Sequence, residues 1–151
     1  MTDTAPDTFS GAATPEALAR REHNLAVVHR FYEALATNDG SNIAPLLTED
    51  CVVICSEGMP YDLGGEYHGP WAATNVWVRI WALHEMHAEP IEFLAVGDDR
   101  VVVLGFYRGK AKDGSAAVDA RFAHVITVRG DRLADFQQIT DTARWVLPTA
   151  R

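Results

Sequence analysis

VDARFAHVITV, residues 118–128, carries an apolar side chain at almost every second position. A period of two predicts a β-strand with one buried and one exposed face. Asp119 and Arg121 fall on the exposed face, whereas His124 falls on the apolar one. The stretch therefore predicts a half-buried strand with an imidazole on its inner side.

Three further segments near this strand show the same period, and short connections join all four. GDD, KDGS and RGD are sequences that form tight hairpin turns. We expect strands over about 88–96, 100–110, 116–129 and 132–140. Consecutive hairpins of this kind predict an antiparallel meander.

Helical spacing dominates the first half of the chain. Thr14 and Pro15 form a helix start, and Gly40 is expected to cap the end of that helix in a left-handed conformation. Helices are expected over 15–38, over 41–47 and from 70 to 84, with a short strand over 51–55. Helices followed by a meander indicate an α+β fold with the helices against one face of the sheet.

The composition is that of an ordinary folded domain with an acidic surface. The 151 residues are 48% hydrophobic and 23% charged, and the formal net charge is −8. Such a surface repels nucleic acid. No apolar run approaches the roughly 18 residues of a membrane span, and the N-terminus lacks the pattern of a signal peptide. We therefore expect a cytoplasmic protein that binds neither nucleic acid nor membranes.

One domain is expected over residues 15–147, with a mobile tail over 1–14 and a short C-terminal tail over 148–151. The first dozen residues are rich in Thr, Ala, Asp, Pro and Gly, which is typical of mobile tails. Cys51 and Cys55 would lie roughly 13 Å apart on one strand, too far for a disulfide. We expect both to be free thiols.

Three stretches together carry a family resemblance: FYEALATNDGSNIAPLLTEDCVV (31–53), MPYDLGGEYHGP (59–70) and FAHVITVRGDRLADFQQITDTA (122–143). In this order they resemble the SnoaL-like, ketosteroid-isomerase-related proteins of the nuclear-transport-factor-two-like superfamily. The resemblance covers roughly residues 22–146. It implies a cone-shaped, curved antiparallel sheet wrapped around three N-terminal helices, the cystatin-like α+β barrel, with an apolar pocket at its open end. It also implies a homodimer formed through the outer face of the sheet.

The catalytic residues of known relatives do not carry over as a set. Cys55 stands where ketosteroid isomerase has its aspartate base, and His124 corresponds best to its protonated aspartate, a buried acid that stays neutral at pH 7. Gln138 stands at the final-strand aspartate of limonene-epoxide hydrolase, and the apolar VVVLGFY replaces the arginine–aspartate pair of that enzyme. The resemblance therefore implies a pocket without naming a reaction.

His124 is the first candidate for chemistry. Neutral imidazole can give or accept a proton near pH 7, and an apolar pocket would lower its pKa by disfavouring the cation. Since the resemblance implies that the inner face lines a cavity, we predict that His124 is a catalytic proton shuttle. The alternative is a core histidine satisfied by one hydrogen bond.

Gln138 and Tyr32 are predicted to hold a substrate oxygen beside His124. If RGD is a three-residue loop, His124 faces Phe136 and Gln138 shares that face. If only GD forms the loop, the register slips by one and Gln137 faces inward. The first register buries fewer polar groups and is preferred. Core hydrogen bonding for Gln138 and aromatic packing for Tyr32 are the alternatives.

The remaining wall of the pocket is expected to be apolar and aromatic. The predicted substrate-binding residues are Cys55, Tyr61, Trp77, Trp81, Phe122 and Phe136. Aromatic rows at helical spacing are also typical of a core. His84 and His87 in LHEMH are three residues apart, not the four of a metalloprotease helix, so no metal is expected. No other cofactor is implied.

Three functions remain in competition. The first is an enzyme that isomerises, cyclises, dehydrates or opens the epoxide of a small apolar molecule bearing a carbonyl, hydroxyl or epoxide. The second is a domain of the same fold that binds a small molecule without chemistry. The third is a structural or regulatory dimer whose interior is filled by Trp and Phe side chains.

Overall fold

The computed structural model describes residues 13–149, which form two α-helices and a seven-stranded sheet. The helices are α1 (Pro15–Leu35) and α2 (Pro70–Leu83). The strands are β1 (Leu47–Cys55), β2 (Gly65–His68), β3 (His84–Val96), β4 (Arg100–Ala111), β5 (Ala116–Arg129), β6 (Arg132–Thr140) and β7 (Leu147–Pro148). The predicted N-terminal tail lies, up to residue 12, outside the described residues, as do residues 150 and 151.

The strands form a curved, unclosed sheet in the order β2-β1-β6-β5-β4-β3, and β7 pairs with β5. All pairs are antiparallel except β1 with β6, which is parallel. Helix α1 packs against β3 to β6, and α2 packs against β1 to β3. We call the face that carries the helices the inner face. The predicted α+β class is confirmed.

The described residues contain two α-helices instead of the three that were expected. Thr14 caps α1 as predicted, because its hydroxyl accepts the N–H of Ala17 at 3.1 Å. The left-handed residue after α1 is Asn38, with φ of 53°, and not Gly40. The expected second helix consists of two 3-10 turns, Gly40–Asn42 and Ala44–Leu46. Pro45 supplies no N–H there, so no longer run of helical bonds forms.

Other element boundaries also differ from the expectation. Helix α2 ends at Leu83, so His84 is the first residue of β3 and not the end of the helix. Strand β2 lies inside the Gly-rich stretch 59–70, for which no strand was expected. Pro148, expected in a tail, pairs with Ala116 through β7. Within residues 13–149, neither α-helix has the length and apolar character that a bilayer crossing requires.

The last hairpin combines features of both registers considered above. Arg129 pairs with Arg132, so the loop is the two-residue Gly130-Asp131. A bulge follows at once: Val128 pairs with Leu133, but Thr127 pairs with residue 135, which leaves Ala134 as an extra residue. The extra residue shifts the alternation of β6 by one, so Phe136 and Gln138 face inward, as a three-residue loop would also have placed them.

After the bulge, the side chains of Phe136 and Gln138 face inward and those of Gln137 and Ile139 face outward. His124 therefore lies directly opposite Gln138 and not, as expected, opposite Phe136. Side chains directly opposite one another on neighbouring strands are close enough to share polar partners. The bulge thus sets the geometry of the candidate site.

Candidate functional site

A cavity of about 220 Å³ lies between the inner face of the sheet and the two helices. Aromatic and aliphatic side chains make up most of its wall, and a few polar groups project among them. The lining includes Tyr32, Cys55, Trp77, Trp81, Tyr107, His124, Phe136, Gln138 and Trp145. An apolar enclosure with few convergent polar groups is typical of small-molecule sites.

His124 lies in the middle of β5, between Val103 of β4 and Gln138 of β6. Only 1% of the residue is exposed. The ring of Phe122 stacks on the imidazole with centroids 3.9 Å apart. Desolvation by this burial lowers the pKa of His124 to about 3. The imidazole is therefore neutral at neutral pH and carries a single proton.

Both ring nitrogens of His124 are engaged by tyrosine hydroxyls. The hydroxyl of Tyr32, from α1, lies 2.5 Å from Nδ1. The hydroxyl of Tyr107, from β4, lies 2.5 Å from Nε2. Burial raises the pKa of each tyrosine well above its ordinary value, so both hydroxyls keep their protons. Any proton exchange between His124 and a ligand has to pass through a tyrosine.

Gln138 extends this chain of hydrogen bonds to β1. Its amide nitrogen donates to the Tyr107 hydroxyl at 3.1 Å, and its side-chain oxygen accepts the backbone N–H of Ser56 at 3.2 Å. The hydroxyl of Ser56 donates to the backbone carbonyl of Gln138 at 3.1 Å. We call Tyr32, His124, Tyr107, Gln138 and Ser56 the polar network. Helix α1, strands β4 to β6 and the end of β1 contribute to it.

The predicted site residues mostly converge on this cavity. Seven of the nine line it, namely Tyr32, Cys55, Trp77, Trp81, His124, Phe136 and Gln138. Tyr61 lies outside the lining, 41% exposed and with its ring edge against His84. Phe122 also lies outside the lining, because its ring is stacked against His124 and fills the space above Gly105. A Cβ on Gly105 would come within 2.6 Å of that ring.

Sequence reasoning missed Tyr107 and Ser56. The alternation of VVVLGFY carried a signal for Tyr107, since Val101, Val103 and Tyr107 share the buried face of β4. Ser56 follows the last residue of β1 and lacks any such signal. It reaches Gln138 because β1 and β6 run in parallel, a pairing between distant segments that alternation cannot reveal.

The other titratable groups near the cavity are neutral or paired elsewhere. Burial raises the pKa of the Cys55 thiol to about 12, so Cys55 is not a thiolate at neutral pH. His84 donates from Nδ1 to the Ile80 carbonyl at 3.1 Å, and His87 pairs with Glu89 at 2.8 Å. Within residues 13–149, no three His, Cys, Asp or Glu side chains converge in a way that could hold a metal ion.

Comparison with known structures places this fold among NTF2-like proteins. An NTF2-like protein of unknown function from Burkholderia pseudomallei is 31% identical, with 82% of this chain and 97% of that chain covered and a TM-score of 0.73. An NTF2-like protein from Burkholderia xenovorans is 26% identical over 82% of this chain and 93% of its own, with a TM-score of 0.72.

A third similar structure is that of TerC co-crystallised with polyporic acid. It is 26% identical, covers 80% of this chain and 93% of its own, and has a TM-score of 0.71. No curated protein matches the chain. Residues 28–136 match the SnoaL-like domain, which is most of the chain. This protein is therefore a member of the SnoaL-like domain family.

Proposed function

We propose that this SnoaL-like protein is an enzyme that moves a proton at an oxygen of a small, largely apolar substrate held in the cavity. The observation that carries the proposal is the pairing of Tyr32 with the buried His124 on the wall of an apolar cavity. Isomerisation, cyclisation, dehydration and epoxide opening all need such a proton transfer to or from oxygen.

Tyr32 is the polar group of the pair that can serve a ligand, because both ring nitrogens of His124 already have tyrosine partners. Its hydroxyl proton would pass to, or be shared with, an oxygen of the substrate as negative charge develops there. An isolated tyrosinate is unfavourable in this setting, since burial raises the pKa of Tyr32. His124 can offset this by sharing its own proton with the Tyr32 oxygen at 2.5 Å. The role predicted for His124 thus becomes a relay behind Tyr32.

The cavity wall suits an aromatic or alicyclic body. Trp77 and Phe136 stand edge to face with centroids 5.4 Å apart, and Trp81 and Trp145 extend the aromatic surface. Rigid rings of this kind bind planar apolar molecules without losing much side-chain freedom. The similar structure of TerC was co-crystallised with polyporic acid, so candidate substrates are best sought among compounds about as large as polyporic acid.

A substrate panel with matched tyrosine variants tests the proposal. Cyclic ketones, epoxides and polyporic acid are incubated in D2O, and mass spectrometry detects deuterium uptake or new products. Tyr32→Phe should reduce turnover at least a hundredfold, as loss of one general acid or oxyanion donor does. Tyr67→Phe is the control, because that hydroxyl bonds the Leu63 carbonyl and lies outside the cavity lining. Equal turnover by both variants would contradict the proposal.

A second candidate is binding without chemistry. It is favoured by Cys55, which occupies a position used by a base in a relative and here keeps its proton. Under this alternative, compounds from the same panel would raise the melting temperature of the protein while no product forms. Products that appear with wild type and vanish with Tyr32→Phe would exclude it.

We also propose that the protein is a homodimer through the outer face of the sheet. Two cross-strand rows there are apolar and at least partly exposed: Leu94, Val102 and Val125 in one, and Leu104, Ala123 and Ile139 in the other. Such adjoining rows form a patch of the kind found at subunit interfaces. Sedimentation should give twice 16.6 kDa for wild type and a lower mass for Leu104→Asp. A wild-type monomer at micromolar concentration would contradict the dimer.

A further inference from the structure

The polar network leaves little freedom in where its protons lie. The backbone N–H of Ser56 can only donate, so the Gln138 atom 3.2 Å away must be the amide oxygen. The amide nitrogen of Gln138 then faces the Tyr107 hydroxyl at 3.1 Å. Because an amide NH2 group can only donate, the oxygen of Tyr107 accepts this bond.

Among the described residues, only one atom can accept the hydroxyl proton of Tyr107. Of the two partners of this hydroxyl, Gln138 offers a donor, and only Nε2 of His124 can accept. In the opposite arrangement His124 would donate to Tyr107, whose oxygen would then accept hydrogen bonds from His124 and Gln138 at once while its own proton had no acceptor among the described residues. Both tyrosines line the cavity, so either could turn a free proton towards it. A phenol oxygen that already accepts one hydrogen bond is the poorer acceptor of a second, and Tyr32, which has no other partner in the described part of the chain, is the better acceptor for the proton of His124. Tyr107 therefore donates to Nε2 of His124.

A neutral imidazole with an accepting Nε2 carries its proton on Nδ1. That proton is donated to the oxygen of Tyr32. The hydroxyl proton of Tyr32 is then left over, and no acceptor for it is found among residues 13–149. Since Tyr32 lines the cavity, this proton is available to a ligand.

We infer that the polar network is directional, from Ser56 through Gln138, Tyr107 and His124 to Tyr32, and that it presents a hydrogen-bond donor to the cavity. The ligand class that matches is one with a carbonyl oxygen or an oxyanion at the end of an apolar ring system. This inference rests on the proposed use of the cavity as a ligand site. Ser56, Gln138 and Tyr107 act as positioning residues, because they act through His124.

The tautomer of His124 tests the direction without any ligand. Protein labelled with ¹⁵N-histidine is examined by NMR through the two-bond couplings between ring protons and nitrogens, and the signal absent from His124→Phe assigns His124. We expect the protonated nitrogen to be Nδ1. A proton on Nε2, or an equal mixture of the two tautomers, would overturn the inference.

A matched pair of variants tests whether Gln138 sets that tautomer. Gln138→Glu is measured at a pH at which the infrared carboxyl bands show the introduced side chain to be ionised, since burial raises the pKa of a carboxyl at this position. The carboxylate can only accept, so Tyr107 should donate to it and the proton of His124 should move to Nε2. Gln137→Glu adds the same charge on the exposed side of the strand and should leave the proton on Nδ1. An unchanged tautomer in Gln138→Glu would show that Gln138 does not position His124.

Two probes of matched shape test the ligand class. 9-Fluorenone has a carbonyl acceptor, and fluorene has none. Fluorenone should bind about tenfold more tightly, the worth of roughly one hydrogen bond, and its carbonyl stretch should move to lower frequency. Tyr32→Phe should abolish both differences.

Equal binding of the two probes, or a carbonyl stretch unaffected by Tyr32→Phe, would contradict the donor role of Tyr32. If neither probe binds while His124 is protonated on Nδ1, the ligand class is wrong and the direction of the network stands. Neither result depends on turnover, so both can be distinguished from a failure of the proposed enzymatic function.

Discussion

His124 and His84 are both buried histidines, yet they are built into the protein in different ways. His124 has a partner on each ring nitrogen and is 1% exposed. His84 is 3% exposed, donates from Nδ1 to Ile80, and has no partner for Nε2 among the described residues. Burial lowers the pKa of both. The difference shows that burial alone does not make a histidine part of a site.

The two environments explain the contrast. His84 packs edge to face against Tyr61 and Trp145 and is the first residue after α2. The Ile80 carbonyl that it bonds also accepts its backbone N–H, so the side chain adds little there. His124, in contrast, connects α1 to β4 and indirectly to β1. Removing His124 should therefore have consequences that removing His84 does not.

The largest expected effect is on acid stability. Between the unfolded pKa of roughly 6.5 and the folded pKa of about 3, the unfolded chain binds a proton that the buried His124 does not. The free energy of unfolding should therefore fall as pH falls, by roughly 3 kcal/mol from this group at pH 4. Urea titrations of wild type and His124→Phe from pH 7 to pH 4 measure it. Parallel pH profiles would contradict the burial of a neutral imidazole.

The second effect is on stability at pH 8, where both histidines are neutral. His124→Phe should lower the free energy of unfolding by about 2 kcal/mol, because it removes a partner from each of two tyrosine hydroxyls. The stacking surface for Phe122 is retained in this variant. Chemical denaturation provides the measurement, and a loss below about 0.5 kcal/mol would mean that the two hydrogen bonds are not stabilising.

Tyr32→Phe should have a smaller structural effect. It leaves one imidazole nitrogen, Nδ1 of His124, facing the cavity without its hydroxyl partner, at a cost of about 1 kcal/mol. Its effect on turnover, at least a hundredfold or about 2.7 kcal/mol of transition-state stabilisation, should be greater than this. Thermal melting combined with the substrate panel separates the two. A variant that unfolds at room temperature would show that Tyr32 is chiefly structural.

The smallest effect is expected at His84. His84→Phe removes an unpartnered buried nitrogen and keeps an aromatic ring between Tyr61 and Trp145, so stability should stay within about 0.5 kcal/mol of wild type. A decrease in the free energy of unfolding as large as that expected for His124→Phe would show that Nε2 of His84 also has a partner. The two histidines would then not differ in the way described.

Much of the fold could be predicted from alternation and turn sequences. The four meander strands fall within a few residues of their expected bounds, because each is closed by a sequence that forms a tight hairpin turn. Strand β2 was missed, since Gly65 and its neighbours carry no alternation and become a strand only by pairing with β1. The expected helix over 41–47 failed for a local reason, the missing N–H of Pro45.

The candidate site was predictable in part. An inward His124 and Gln138 follow from the phase of β5 and β6, and Tyr32 follows from the apolar stripe of α1. Their mutual geometry does not follow, because alternation gives the inner face of β4 without showing that the Tyr107 hydroxyl reaches His124, and because Ser56 reaches Gln138 only through the pairing of β1 with β6, which are distant in sequence. Which hydroxyl meets which nitrogen is set by tertiary packing, and periodicity carries no information about it.

The bulge at Ala134 has a consequence for how this hairpin tolerates changes in length. Without Ala134, Leu133 and Asp135 could keep their present partners, Val128 and Thr127, in a regular ladder. One additional residue, in contrast, would need a second bulge or would turn the inner row of β6 outward. The segment should thus accept a one-residue deletion more readily than an insertion, the reverse of what holds for most exposed hairpin ends.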